Sequence, residues 1–374
     1  MPRRGALAAG IGGALLAGAA AGFALERTVV RGRLVPELVP AEVPLGSIAG
    51  EVRELDGPAG MRVTVESYGP EDAPQLVLAH GWVCSGRAWH EQVRRLAEHV
   101  RVITYDQPGH ARTSRPDDGA YTIDLLGDTL ATVLEQSTRP GPVVVAGHSM
   151  GGMTILNAAR RHAAVRERLA GAVLLSTTSS ARADQLSLET GIRAVARLDR
   201  IIRRLVPTLR DPRVTRNAER LYASTSDLSF LLARWTAVGP DSDPQVVAFT
   251  QEMLLSSGFD VVIGMVEPIL SVDEDAGLDA LEDTPTTLVV GSRDRLTPAS
   301  LTRRMAARSR AGVVELEGVG HMSLLEAGDD VTEVLRRHLD GEVDRAEDGR
   351  WELAGEGDVW VRVSPDAAVG REAS

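Results

Sequence analysis

The stretch Gly147-His148-Ser149-Met150-Gly151 constrains the fold more than any other part of the chain. It follows a β-forming run, Pro142-Val143-Val144-Val145-Ala146, and precedes a helical pattern from Gly152 to Arg160. The sequence therefore predicts strand, sharp turn and helix, with a serine at the apex of a G-x-S-x-G pattern. A turn this tight leaves no room for a side chain two residues either side of the serine. The serine itself is forced into a strained backbone that pushes its hydroxyl out of the sheet. The first turn of the following helix offers free N–H groups and a positive dipole end, both suited to an oxyanion. The pattern alone is weak in a glycine-rich chain, so its weight comes from the strand before it and the helix after it.

A serine hydroxyl is a poor nucleophile at neutral pH and needs a base within hydrogen-bond reach. Eight histidines are available. His90, His99, His162 and His338 fall within helical patterns and read as surface residues. His148 neighbours the serine and so points away from it. His80 ends a strand and His110 lies in a turn. His321, in Gly318-Val319-Gly320-His321-Met322, follows the last strand, at the loop end where parallel sheets gather their active sites. The orienting carboxylate is sought at the ends of the neighbouring strands. Ser176 to Ala183 contains no acid, whereas Asp294 lies just past the strand at 287–290. The pattern thus selects Ser149, Asp294 and His321, in that chain order.

Around these residues strands and helices alternate. A β-hairpin is expected from Ile48–Leu55 and Met61–Ser67. Strands follow at Gln75–Ala79, Arg101–Tyr105, Val143–Ala146 and Ala172–Leu175, with helices at Gly86–Glu98 and Thr122–Gln136. Apolar strand runs alternating with helices mean a mostly parallel central sheet covered on both faces. The rhythm breaks between Ser176 and Asp283. There, helical spacing in Ile192–Val206, Ala218–Leu232 and Val246–Leu255 predicts a helical cap, at about 180–283, inserted after the sixth core strand. Strands resume at 287–290 and Val313–Leu316, with helices at Ala299–Arg308 and Leu324–Leu339. Residues 26–47 read as a linker, 48–340 as the catalytic domain, and 341–374 as an acidic, loosely ordered tail.

The whole pattern resembles the α/β-hydrolase family from about Ile48 to Leu339. The resemblance rests on His80-Gly81, on Asp106-Gln107-Pro108-Gly109-His110 and on Gly147-His148-Ser149-Met150-Gly151-Gly152. It rests also on Gly291-x-x-Asp294 and Gly320-His321. Ala111 departs from it, standing where the family usually has a second glycine; a small change in that loop is expected. Asp106 resembles the family's structural acid. The resemblance implies a triad of Ser149 as nucleophile, His321 as base and Asp294 as its orienting acid. It also implies an oxyanion hole from the backbone N–H groups of Trp82 and Met150. A serine nucleophile sets the chain apart from the aspartate-dependent epoxide hydrolases and dehalogenases of the same fold.

The expected activity is hydrolysis of a small or medium apolar carboxylic ester, with no cofactor and no metal. A thioesterase, carbon–carbon hydrolase, lipase or haloperoxidase-like enzyme would use the same triad. A membrane-tethered binding protein that has lost its chemistry is the reading from another class. Candidate walls for the acyl group are Met253, Leu254, Leu255, Phe259, Val261 and Val262, with Trp82, Trp89 and Trp235. With 52 acidic and 41 basic residues, net charge −11, nucleic acid is not an expected partner. The chain contains no lysine, which excludes a Schiff-base mechanism. The single cysteine, Cys84, reads as a buried thiol and not a nucleophile. Residues 5–25 form an uncharged run behind Arg3 and Arg4; as a helix they would span about 31 Å, near the thickness of a bilayer core. A retained membrane anchor, a cleaved export signal ending near Ala19-Ala20-Ala21, and a cytosolic helix are the three readings of this segment. The oligomeric state is left open.

Overall fold

The computed structural model describes residues 43–181, 230, 233–346, 348–353 and 360–361. The two expected cap helices at Ile192–Val206 and Ala218–Leu232 lie almost wholly outside these residues, as do residues 5–25. The fold grows from strand alternation. In β3 (Gln75–Ala79), Leu76 and Leu78 face one layer, with Trp89, Val93 and Leu335; Val77 and Ala79 face the other, with Leu130, Val133 and Ile155. The period of two in a buried strand thus feeds two separate cores, one on each side of the sheet.

The sheet has nine strands in the order β1-β2-β4-β3-β5-β6-β7-β8-β11. The hairpin β1 (Glu51–Asp56) and β2 (Arg62–Tyr68) joins antiparallel to β4 (Arg101–Tyr105). From β4 the strands run parallel through β3, β5 (Val143–His148), β6 (Leu169–Leu175), β7 (Thr286–Gly291) and β8 (Gly312–Leu316). The mostly parallel sheet read from the sequence is present. One face carries α1 (His90–Leu96) and the last long helix, Gly328–Leu339. The other carries α2 (Ile123–Ser137) and α3 (Met150–Arg161). Thr122 caps α2 by accepting the Leu125 N–H at 3.0 Å, which satisfies one of the free first-turn donors.

Between β6 and β7 the described residues form α4 (Pro244–Ser256), α5 (Phe259–Leu270) and the short α6 (Asp275–Asp279). The insertion leaves and returns through paired backbone: Ala181 N–H donates to Val272 at 3.0 Å, and Glu274 N–H to Ser179 at 2.6 Å. After β7 come α7 (Ala299–Arg308) and, beyond β8, α8 (Gly328–Leu339). Among the described residues no single helix is long and apolar enough to cross a membrane.

Three expectations are corrected. The tail is not uniformly loose: β9 (Val343–Arg345) pairs with β10 (Trp351–Leu353), and β11 (Trp360–Val361) adds antiparallel to β8. Val343 and Leu353 are buried, and Arg345 stacks over the Trp351 ring at 4.5 Å. His90 and His338 are buried, not superficial. His90 Nδ1 accepts the N–H of Gly46, in the segment before β1, at 3.1 Å, and the last helix turns His338 toward the sheet, where its Nε2 meets Thr287 Oγ1 at 2.9 Å. The final helical pattern is broken at Ala327.

Burial lowers five histidines: His90, His80 and His338 (the last two to about 4), and His110 and His148 to about 3. The unfolded chain takes up the last four of these protons near pH 6.5 and the folded chain only near 3–4. Stability therefore falls as pH drops through that window. Scanning calorimetry should show Tm falling by roughly 10 °C or more between pH 7.5 and 5; a flat or rising Tm would contradict this reading.

Candidate active site

Ser149 sits between β5 and α3 with φ 52° and ψ −116°, a conformation an L-residue adopts only under constraint. The constraint is steric. A Cβ on Gly147 would lie 2.3 Å from the Gly151 carbonyl oxygen, and one on Gly151 would lie 2.1 Å from that of Ala79. Helix α3 is thus driven against the end of β3 with no room for a methyl group. The Ser149 backbone is held by its N–H, which donates to Leu175 at 2.8 Å, and by the Thr177 hydroxyl, which donates to its carbonyl at 2.7 Å. From Val143 to Ala159 every residue is buried except Ser149.

His321 follows β8 and Asp294 follows β7, so both reach the same edge of the sheet as Ser149. His321 Nδ1 lies 2.9 Å from Asp294 Oδ2. The His321 side chain is 7% exposed and that of Asp294 0%. Asp294 also accepts the N–H groups of Leu296 (2.9 Å) and Thr297 (2.8 Å) on Oδ1, and the Thr297 hydroxyl (2.8 Å) on Oδ2. Burial pushes the Asp294 carboxyl up, but His321 and the two Thr297 bonds outweigh it and hold the group below the usual carboxylate range. The carboxylate stays ionised and fixes the Nδ1–H tautomer, leaving Nε2 free to accept a proton.

The structure brings Asp294 and His321 into direct contact, and the residue next to Ser149 in the chain, His148, touches His321. The His148 ring lies 4.9 Å from that of His321, and His148 Nε2 donates to the His321 carbonyl at 2.9 Å. No described hydrogen bond joins the Ser149 hydroxyl to His321; such bonds commonly tighten only when substrate is bound.

The loop after β3 lies against the elbow: a Cβ on Gly81 would be 3.2 Å from Ser149 Cβ. His80 Nε2 accepts the Gln107 N–H at 2.8 Å, so its Nδ1 donates to Gly81 at 2.7 Å. Val83 has φ 55°, costly for a β-branched residue, and its N–H donates to His110 Nε2 at 3.3 Å. The loop is thereby fixed with Trp82 facing the elbow's apolar neighbours. The Trp82 amide has no acceptor among the described residues, and Met150, as the first residue of α3, has none inside its helix.

A model of the alpha/beta hydrolase family matches residues 76–334. The chain belongs to that family. A segment of 110 residues is 34% identical to the probable oxidoreductase EphD of Mycobacterium tuberculosis, covering 29% of this chain and 19% of that protein. Over 118 residues the chain is 35% identical to the bifunctional esterase/perhydrolase DCH of Acinetobacter calcoaceticus, covering 31% and 41% of the two. The alignments thus span from about a fifth to two fifths of these relatives. The structure of a thermophilic esterase from Thermogutta terrifontis matches with a TM-score of 0.62 at 21% identity, over 78% of this chain and 99% of that one. It shares the fold.

Within this alpha/beta hydrolase frame, several expectations are refined. Asp106 accepts the Gly86 N–H at 2.9 Å and the Arg112 N–H at 3.2 Å, tying two loops together as a structural acid would. Ala111 keeps the left-handed backbone, φ 43°, that a glycine would adopt freely. Cys84 is buried and its thiol pushed up to about 12, which makes it no nucleophile. Of the wall candidates, Trp82 and Val261 join one cluster with Met150, Met153, Tyr121 and Met265. Trp89 and Met253 pack in the core, and Trp235 is exposed beneath Arg295. The Phe259 side chain lies outside the described residues. Thr297 was not foreseen; its position three residues after the acid is the only signal the sequence offers.

Gly151→Ala should destabilise the protein by about 3 kcal/mol, because a backbone carbonyl cannot move aside as a side chain can. Chemical denaturation measures this; an unchanged midpoint would show that the elbow is not packed as described.

Proposed function

We propose that the protein is a serine hydrolase that cleaves carboxylic esters of small or medium apolar compounds through an acyl-enzyme. The observation that carries this reading is the buried 2.9 Å bond between His321 and Asp294. Ser149, the one residue of the elbow that is not buried, supports it as the nucleophile. Ser149 Oγ attacks the carbonyl carbon while His321 Nε2 takes its proton. Asp294 holds the imidazole and stabilises the imidazolium. The amides of Trp82 and Met150 receive the oxyanion, each donor being worth about 2.7–4 kcal/mol in such sites. The C–O bond then breaks, and His321 returns its proton to the leaving alcohol. Water, deprotonated by the same imidazole, releases the acid and restores Ser149. The apolar cluster of Trp82, Met150, Met153, Tyr121, Val261 and Met265 favours an apolar acyl group. Its relative named as an esterase/perhydrolase supports an ester over a thioester or a carbon–carbon bond.

A fluorophosphonate probe should label the wild-type protein and fail to label Ser149→Ala. Asp294→Asn should lower kcat on a p-nitrophenyl ester by about 10⁴-fold, since the amide favours the wrong tautomer. Undiminished labelling of Ser149→Ala would refute the assignment. We also propose that residues 5–25 direct the protein to a membrane or across it. Cell fractionation with N-terminal sequencing should find it in the membrane fraction, or exported with a start near residue 22; soluble cytosolic protein with an intact start would overturn this.

A further inference from the structure

The loop carrying His321 is gripped from both sides by the cap segment 237–242. On one side, Met322 N–H donates to the Ala237 carbonyl at 3.0 Å. On the other, Gly320 N–H donates to Glu326, 3.1 Å from Oε1 and 3.2 Å from Oε2. The same carboxylate accepts the Gly239 N–H at 2.6 Å and the Ser242 hydroxyl. The two backbones are in direct contact: a Cβ on Gly320 would lie 2.3 Å from Gly239 N, and one on Gly239 would lie 2.3 Å from the Gly318 carbonyl oxygen. The acid loop touches this stem as well, since Arg295 donates to the Trp235 carbonyl.

Glu326 gathers three donors on one group. A carboxylate has about four lone-pair sites on its two oxygens and can satisfy all three. Charge-assisted bonds of this kind are roughly twice as strong as neutral ones. Burial pushes the Glu326 carboxyl up, against the three bonds that pull it down, so the group is held at a cost that its donors must offset.

We propose that Glu326 is a positioning residue for His321, fastening the Gly320 amide and the cap residues Gly239 and Ser242 to one acceptor and so coupling the seating of the cap to the orientation of the imidazole. This rests on the triad reading above. Glu326 touches no reacting atom; it acts through the backbone on which His321 is mounted. In Glu326→Gln one acceptor oxygen becomes an N–H₂ group that faces N–H and O–H donors. The base loop then loses a fastening while the sheet and the elbow remain.

The test uses the full-length protein, a p-nitrophenyl ester and active-site titration with a fluorophosphonate. Glu326→Gln should lower kcat per titrated site by about tenfold to a hundredfold, the cost of a small misplacement of a catalytic group. KM should stay within about threefold, and the labelling rate of Ser149 should fall in parallel with kcat. A merely structural role would instead reduce the fraction of protein that titrates and leave kcat per site unchanged; that result overturns the assignment. Should Glu326→Gln not fold, Ser242→Ala removes only the cap-side hydroxyl. It should then show a smaller fall in kcat per site, about threefold, and an unchanged value would overturn the proposal. Wild-type protein that does not label at Ser149 would sink the triad reading itself. A labelled wild type with unaffected variants would sink the role of Glu326 alone.

Discussion

The approach of helix α3 to the end of β3 governs the edge of the sheet that carries Ser149. At Gly151 the helix backbone comes so near the Ala79 carbonyl that even a methyl group has no place. That approach fixes the turn between β5 and α3, and the turn imposes the positive φ at Ser149. Several consequences then follow without further design. The serine is the one residue from Val143 to Ala159 that is not buried. The Met150 amide stands at the open start of a helix, where the dipole is positive. The loop after β3, carrying Trp82, is brought against Ser149.

The remaining machinery is delivered by topology. Parallel strands place the ends of β3, β5, β7 and β8 on one edge, so residues far apart in the chain meet there. The cap enters between β6 and β7 and comes to rest on the loop after β8. The loop of His321 is consequently the point where the sheet and the insertion join. Buried histidines around it are kept neutral by burial: His80, His110 and His148 serve as fixed hydrogen-bonding groups, while His321 alone of this group faces an ionised carboxylate at 2.9 Å.

Much of this was legible in the sequence, and the limits have a physical origin. The elbow could be read because tight turns demand glycine at particular offsets, a local rule. Asp294 and His321 could be read because each sits just past an apolar strand run. The strand pattern predicted the parallel sheet because buried strands show unbroken apolar stretches. What escaped was tertiary. Helical spacing at His90 and His338 does not say which face meets the sheet. Nothing near Glu326 in sequence marks it, since its partners Gly239 and Ser242 are more than eighty residues away. Trp351 lies in the acidic tail, yet its backbone N–H donates to the Arg310 carbonyl at 2.7 Å and its strand pairs with β9.

The central claim is that the elbow hydroxyl, the His321–Asp294 pair and the Trp82 and Met150 amides act on one carbonyl group. A crystal structure of the protein reacted with a fluorophosphonate tests this directly, because the bound phosphonyl group imitates the tetrahedral intermediate. The account predicts phosphorus bonded to Ser149 Oγ, His321 Nε2 about 3 Å from that oxygen, and the phosphoryl oxygen within about 3 Å of both amides. An adduct on another residue, or a phosphoryl oxygen turned away from Trp82 and Met150, would contradict it.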